Sequence, residues 1–116
     1  MVINQLPTIK NSEISRRAAI MMMQHIYTKW HLSGEEAAAL GKFDSTSDEP
    51  LSEIEKRCAI QLIEIYSALH TLLPDSADDW IRKPNKAFDG VDALSVMLNS
   101  PDGINDVRKY LLGQLN

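Results

Sequence analysis

The chain has 116 residues, 44% of them hydrophobic, with one cysteine and a formal net charge of -4. That length fits one domain burying roughly two-thirds of its unfolded surface, and a lone cysteine excludes a scaffold held by internal disulfides. No apolar run approaches the roughly 20 residues of a membrane span, and the opening MVINQLPTIK lacks the basic flank and apolar core of a signal peptide, so a soluble cytoplasmic protein is expected.

Charge is unevenly spread. Residues 1–33 carry Lys10, Arg16, Arg17 and Lys29 against Glu13, while residues 34–55 carry Glu35, Glu36, Asp44, Asp48, Glu49, Glu53 and Glu55 against Lys42. The acidic total argues against a protein that coats nucleic acid. A polyanion contact, where present, belongs near the N-terminus.

Residues 1–11 show no period, contain Pro7 and read as an arm. From Ser12 to about Trp30 the chain reads as a helix with Ile14, Ala18, Met21 or Met22, His25, Ile26 and Lys29 or Trp30 at helical spacing, and with Arg16, Arg17 and Gln24 on its polar face. Met21, Met22 and Met23 point in different directions on such a helix, which suits core filling better than soft-metal ligation. Leu32 to Gly41 is a second, short helix: Ser33 is its N-cap, Glu36 stands three residues on, and Gly41 is expected to stop it in a left-handed conformation. Lys42 to Pro50, KFDSTSDEP, reads as an exposed loop.

The longest element begins with the capping box Ser52/Glu55 and ends before Pro74. Its spacing predicts a buried face of Ile54, Cys58, Leu62, Ile65, Leu69 and Leu72. A second stripe holds Ala59, Ile63, Tyr66 and His70, and a wet face holds Glu53, Arg57, Glu64, Ser67 and Thr71. Ser76 is expected to cap a turn with Trp80 and Ile81, and Arg82 to Gly90 to form a loop. Val91 to Leu98 reads as a short helix with Val91, Leu94, Val96, Met97 and Leu98 as buried candidates. Ser100-Pro101-Asp102 opens a last helix, with serine at the cap and proline at the first helical position, that buries Ile104, Val107, Tyr110 or Leu111, and Leu115 and runs to about Gly113. No segment alternates as a strand, so the expected fold is all-α, organised as an N-terminal region over 1–50 and a C-terminal helical domain over 51–116.

Catalytic and metal chemistry find little support. His25, His31, His70 and Cys58 have none of the short spacings of zinc ligands, Asp78 and Asp79 diverge as neighbours on a helix, and there is no phosphate-cradling glycine loop or nucleophile elbow. The reading is a protein that is not an enzyme and needs no cofactor or metal.

LSGEEAAALG over Leu32 to Gly41, then Leu51-Ser52, IYSALHTLLP over Ile65 to Pro74, WIRKPN over Trp80 to Asn85 and the Gly103 to Leu112 segment together resemble the Xre/MbcA/ParS antitoxins over about residues 20–115. The resemblance implies a bacterial type II antitoxin with a degenerate helix-turn-helix-like N-terminal region for operator DNA and dimerisation. It also implies a C-terminal domain that covers the active-site entrance of a cognate toxin, usually a RES-domain enzyme that consumes NAD. KFDSTSDEP replaces the family's basic recognition helix and is too short and acidic for a major groove, so weak DNA binding at most is expected, through Arg16 and Arg17. Toxin contacts are expected from Arg82, Lys83, Asn85, Lys86, Arg108 and Lys109 around the anchors Phe88 and Leu112. The tail, with the carboxylate of Asn116, either enters a pocket built for a pyrophosphate or leaves the binding to the helix faces.

Overall fold

A computed structural model describes residues 15–41 and 43–115 of the chain. The arm expected over residues 1–11 and the start of the first helix at Ser12 lie outside the described residues. Helix α1 spans Arg16–Lys29, and the Ser15 hydroxyl accepts from the Ala18 N–H at 3.1 Å, satisfying one donor of the open first turn. Its buried stripe is Ala19, Met23 and Ile26, continued by Trp30, rather than Ala18, Met21 or Met22 and His25. Trp30 is fully buried and sets this register, because turning the largest apolar side chain inward draws positions seven and eleven residues back to the same face. Met21 is left 64% exposed.

The chain leaves α1 through a Schellman turn: the Leu32 N–H donates to the Tyr27 carbonyl and the His31 N–H to the Thr28 carbonyl, with His31 left-handed at φ 56°. Helix α2 spans Gly34–Gly41, and its capping box is complete, with Ser33 and Glu36 each accepting the other's backbone N–H. Gly41 departs from expectation: it is the last helical residue and is not left-handed. Glycine is required there by close approach. A Cβ would stand 2.8 Å from Cys58 Sγ and 3.2 Å from the Tyr27 hydroxyl, which donates to the Gly41 carbonyl at 2.7 Å.

Helix α3, Glu53–Leu72, starts on the formed Ser52/Glu55 capping box and stops one residue short of the Leu73 C-cap, before Pro74. It packs against α1, α2 and two of the helices that follow it. Its buried positions are Ala59, Leu62, Ile63, Ile65, Ala68 and Leu69. Ile54 is 77% exposed, against expectation: helical spacing assigns a residue to a stripe but does not supply the neighbour that buries it. Glu64 is also not simply wet, since it pairs with Arg108.

After α3, α4 spans Ala77–Trp80, with Ser76 at the N-cap position but making no side-chain cap bond. Two two-residue strands that periodicity cannot reveal follow: β1 Pro84–Asn85 pairs antiparallel with β2 Val91–Asp92 around a 3-10 turn at Lys86–Phe88. Asp92 is extended and caps α5, Ala93–Asn99, by accepting from Ser95, so the helix starts two residues later than expected and Val91 is exposed. Helix α6 spans Gly103–Leu115 and continues through Gly113, so the expected end there is corrected. Pro101 and Asp102 form the turn before α6 rather than its first residues, the Ser100 hydroxyl accepting from the Asp102 N–H. Val107 and Leu111 are buried, whereas Leu115 is exposed. The fold is all-α, with this small hairpin as its one departure among the described residues.

The α5–α6 contact is closest at Gly103, where a Cβ would stand 2.0 Å from the Val96 carbonyl oxygen and 2.9 Å from Met97 Cα. Backbone cannot give as a flexible side chain can. Gly103→Ala is therefore expected to destabilise by about 3 kcal/mol, at the upper end for overpacking, read as a lowered urea midpoint.

Candidate functional site

Two of the three histidines and the cysteine act as ties between elements. His25 Nε2 lies 3.1 Å from the Tyr66 hydroxyl, joining α1 to α3; His70 Nδ1 lies 2.9 Å from the Tyr66 carbonyl and its Nε2 3.4 Å from Asp78, joining α3 to α4. The Cys58 thiol, whose pKa is raised by burial, donates to the Leu40 carbonyl. Asp78 is half-buried and Asp79 exposed, so the two carboxylates face different surroundings. No group of three His, Cys, Asp or Glu able to hold a metal occurs among the described residues.

Three arginines singled out in the sequence are engaged inside the molecule. Arg16 donates to both Glu55 oxygens at 2.8 and 3.0 Å and to the Glu49 and Pro50 carbonyls, closing the acidic loop onto α1. Arg108 donates to Glu64, tying α6 to α3. Arg82 donates to Glu36 and to the carbonyls of Trp30 and His31. Asn85 shapes its own loop, its side chain accepting from the Ala87 N–H and its carbonyl from the Gly90 N–H. Arg17, Lys83, Lys86 and Lys109 are exposed and Leu112 is half-buried. Asn116 lies outside the described residues, and α6 continues through Gly113 to Leu115.

These pairs leave an electrostatic signature. The hydrogen bond from Arg82 is the largest cause holding the Glu36 carboxyl below its ordinary value near 4.5, and the bond from Arg16 does the same for Glu55. A carboxylate depressed in the folded state contributes stability above its unfolded pKa and loses it as pH falls through the folded value. The urea midpoint is thus expected to fall as pH drops below 4.5. The Arg16→Ala protein should show a shallower decline, because Glu55 then keeps only the part of its depression that comes from its Ser52 capping bonds.

The C-terminal half also carries a partly exposed aromatic cluster. Trp80 at the end of α4, Phe88 in the 3-10 turn and Tyr110 on α6 converge: Trp80 and Tyr110 stack with centroids 6.3 Å apart and planes 7° apart, and Phe88 stands edge-on to Tyr110 at 5.3 Å and to Trp80 at 6.4 Å. All three are half-buried, so each ring keeps part of its surface open. Helical spacing places the exposed residues Asp106 and Gly113 beside Tyr110, the exposed Lys109 precedes it in the chain, and Lys86 shares the turn of Phe88. Packed aromatics ringed by charge have the anatomy of a protein-binding hot spot. Sequence reasoning had Phe88 as an anchor and Tyr110 or Leu111 as core, and it is Leu111 that is buried. That reasoning missed the meeting of Phe88 and Tyr110 with Trp80, which brings three elements together across non-periodic separations.

The fold is a small helical module that carries this aromatic face. Residues 68–113 match the antitoxin Xre/MbcA/ParS C-terminal toxin-binding domain, a range that holds all three rings. Over those residues the chain is similar to the toxin-binding domain of that antitoxin family. A curated relative, "Uncharacterized protein y4oB" of Sinorhizobium fredii (strain NBRC 101917 / NGR234), is 36% identical over 91 residues, covering 76% of this chain and 60% of the relative. No solved structure matches the chain. Among the described residues, no helix is long and apolar enough to cross a membrane.

Proposed function

We propose that the chain is the antitoxin of a type II toxin–antitoxin pair and inhibits its toxin by laying the Trp80–Phe88–Tyr110 face over the entrance to the toxin's active site. The observation that carries this reading is the aromatic convergence inside the segment that matches the toxin-binding domain. Lys83, Lys86 and Lys109 supply cationic contacts at the rim, where they steer association more than they add affinity. Leu112 extends the apolar area. The resemblance read from the sequence supports a RES-type toxin that consumes NAD. In the same proposal residues 51–116 are the toxin-binding domain, and residues 1–50 are a degenerate helix-turn-helix-like region through which two copies associate.

Co-expression with the product of the adjacent reading frame tests the proposal. The chain should restore growth and co-purify with that product, while Trp80→Ala and Tyr110→Ala should do neither. If the intact chain neither rescues growth nor binds the product, the reading fails.

The operator-binding alternative has less to stand on, because the Arg16 guanidinium is held by Glu55 and two carbonyls and only Arg17 of that pair is exposed. Electrophoretic shifts at physiological salt are expected to show no sequence-specific complex. Any low-salt retention should fall with Arg17→Ala, since phosphate contacts act through counterion release. Arg16→Ala should act on stability instead.

A further inference from the structure

Arg82 stands between Trp80 and the β1–β2 hairpin, yet its guanidinium reaches back across the chain. Nη2 lies 2.8 Å from the His31 carbonyl, 3.4 Å from the Trp30 carbonyl and 2.9 Å from Glu36 Oε1, and Nη1 lies 3.3 Å from Glu36 Oε2. The two carbonyls belong to the C-terminal end of α1, where the helix dipole concentrates negative charge and the Schellman turn leaves acceptors open. A planar fork with five donors can meet a carboxylate and two carbonyls together, which an ammonium cannot. The turn it grips is also strained, since His31 is left-handed without being glycine. On the other side of the same segment, the buried residue Ile81 accepts from the Leu94 N–H at 2.8 Å, joining it to α5.

We propose that Arg82 is a positioning residue: it ties the docking face to the α1–α2 turn and thereby fixes the orientation of Trp80 and the hairpin, without itself touching the toxin. This rests on the docking reading above. A face held in one orientation binds more tightly because less order is lost on association. The N-terminal helices therefore set the geometry of a surface to which they contribute no aromatic ring.

The test labels the protein with 5-fluorotryptophan, whose two 19F resonances, from Trp30 and Trp80, are assigned with Trp80→Phe. Glu36→Gln is the informative variant, because glutamine still completes the α2 capping box but no longer pairs with the guanidinium charge, and it lies 46 residues from Arg82. Arg82→Lys removes the fork, and Ser33→Ala weakens the α2 cap while leaving the Arg82 bonds in place. Glu36→Gln and Arg82→Lys should each move or broaden the Trp80 resonance, and Ser33→Ala should not. Each of the first two should also weaken binding of the purified adjacent-frame product by roughly tenfold, with the double variant no worse than Arg82→Lys alone, as expected of coupled residues. A Trp80 resonance indifferent to Glu36→Gln overturns the proposal. So does a loss of binding in Arg82→Lys that Glu36→Gln does not share, since Arg82 would then contact the toxin directly and the docking reading would survive. Conversely, a moved Trp80 resonance in a protein whose intact form binds no toxin leaves the tie in place and removes the docking reading.

Discussion

Tyr110→Ala is expected to weaken toxin binding by about 2–4 kcal/mol, roughly 30- to 1,000-fold, the loss associated with an interface hot spot. Each of the three rings meets the other two, and Tyr110 makes the two shorter contacts. It stacks on Trp80 and meets Phe88 edge-on, so its truncation removes one aromatic surface and loosens two others. Lys109, its exposed neighbour on α6, gives the contrast: Lys109→Ala should change affinity by about 1 kcal/mol or less and act mainly on the association rate and its salt dependence. Tyr110→Phe keeps the ring and should bind nearly as the parent does. Titration calorimetry with the adjacent-frame product reads the affinities, and thermal melts of the free variants separate lost binding from lost fold, since Tyr110 also packs against the core. Parent-like affinity in Tyr110→Ala would place the hot spot elsewhere on the domain.

Local chemistry was the most legible part of this fold. The Ser33/Glu36 and Ser52/Glu55 boxes were readable because each is a reciprocal pair three residues apart, and both form. Ser76 has the residue type but makes no cap bond. Register was less legible. The run Ile20 to Met23 offers an apolar residue at every position, so period alone could not choose a face, and the choice fell to the burial of Trp30. Gly41 shows that one residue type can answer two demands, since a left-handed stop and a close helix contact both call for a missing Cβ. The His31 turn was invisible for the opposite reason: the left-handed position is filled by a residue that does not advertise it.

The arginines were hardest to read. Arg16, Arg108 and Arg82 look like surface cations in sequence, yet their carboxylate partners lie 39, 44 and 46 residues away and only the packed fold brings them together. The candidate site was legible in its parts, through the WIRKPN segment and Phe88, and not in its assembly. Tyr110 sits one helical position before the buried Leu111, where spacing cannot say which of two large side chains faces in.

Leu69→Ala is expected to destabilise the protein by about 2–5 kcal/mol, the range for truncating a buried leucine that leaves a cavity. Leu69 is fully buried, on the face of α3 shared with Leu62 and Ile65. Ile54 belongs to the same stripe by spacing alone but is 77% exposed, so Ile54→Ala should stay within about 0.5 kcal/mol of the parent. Glu64→Ala falls between them. It removes the partner of Arg108 in a pair whose side chains are 28% and 35% exposed, and solvent screening holds such a loss to about 0.2–1 kcal/mol. Urea midpoints at neutral pH measure all three on one scale. The order Leu69, Glu64, Ile54 is what this packing of α3 requires. Equal midpoints for Leu69→Ala and Ile54→Ala would mean that α3 is rotated against its neighbours, and α6, which lies along it and carries Tyr110, would then present a different face to the toxin.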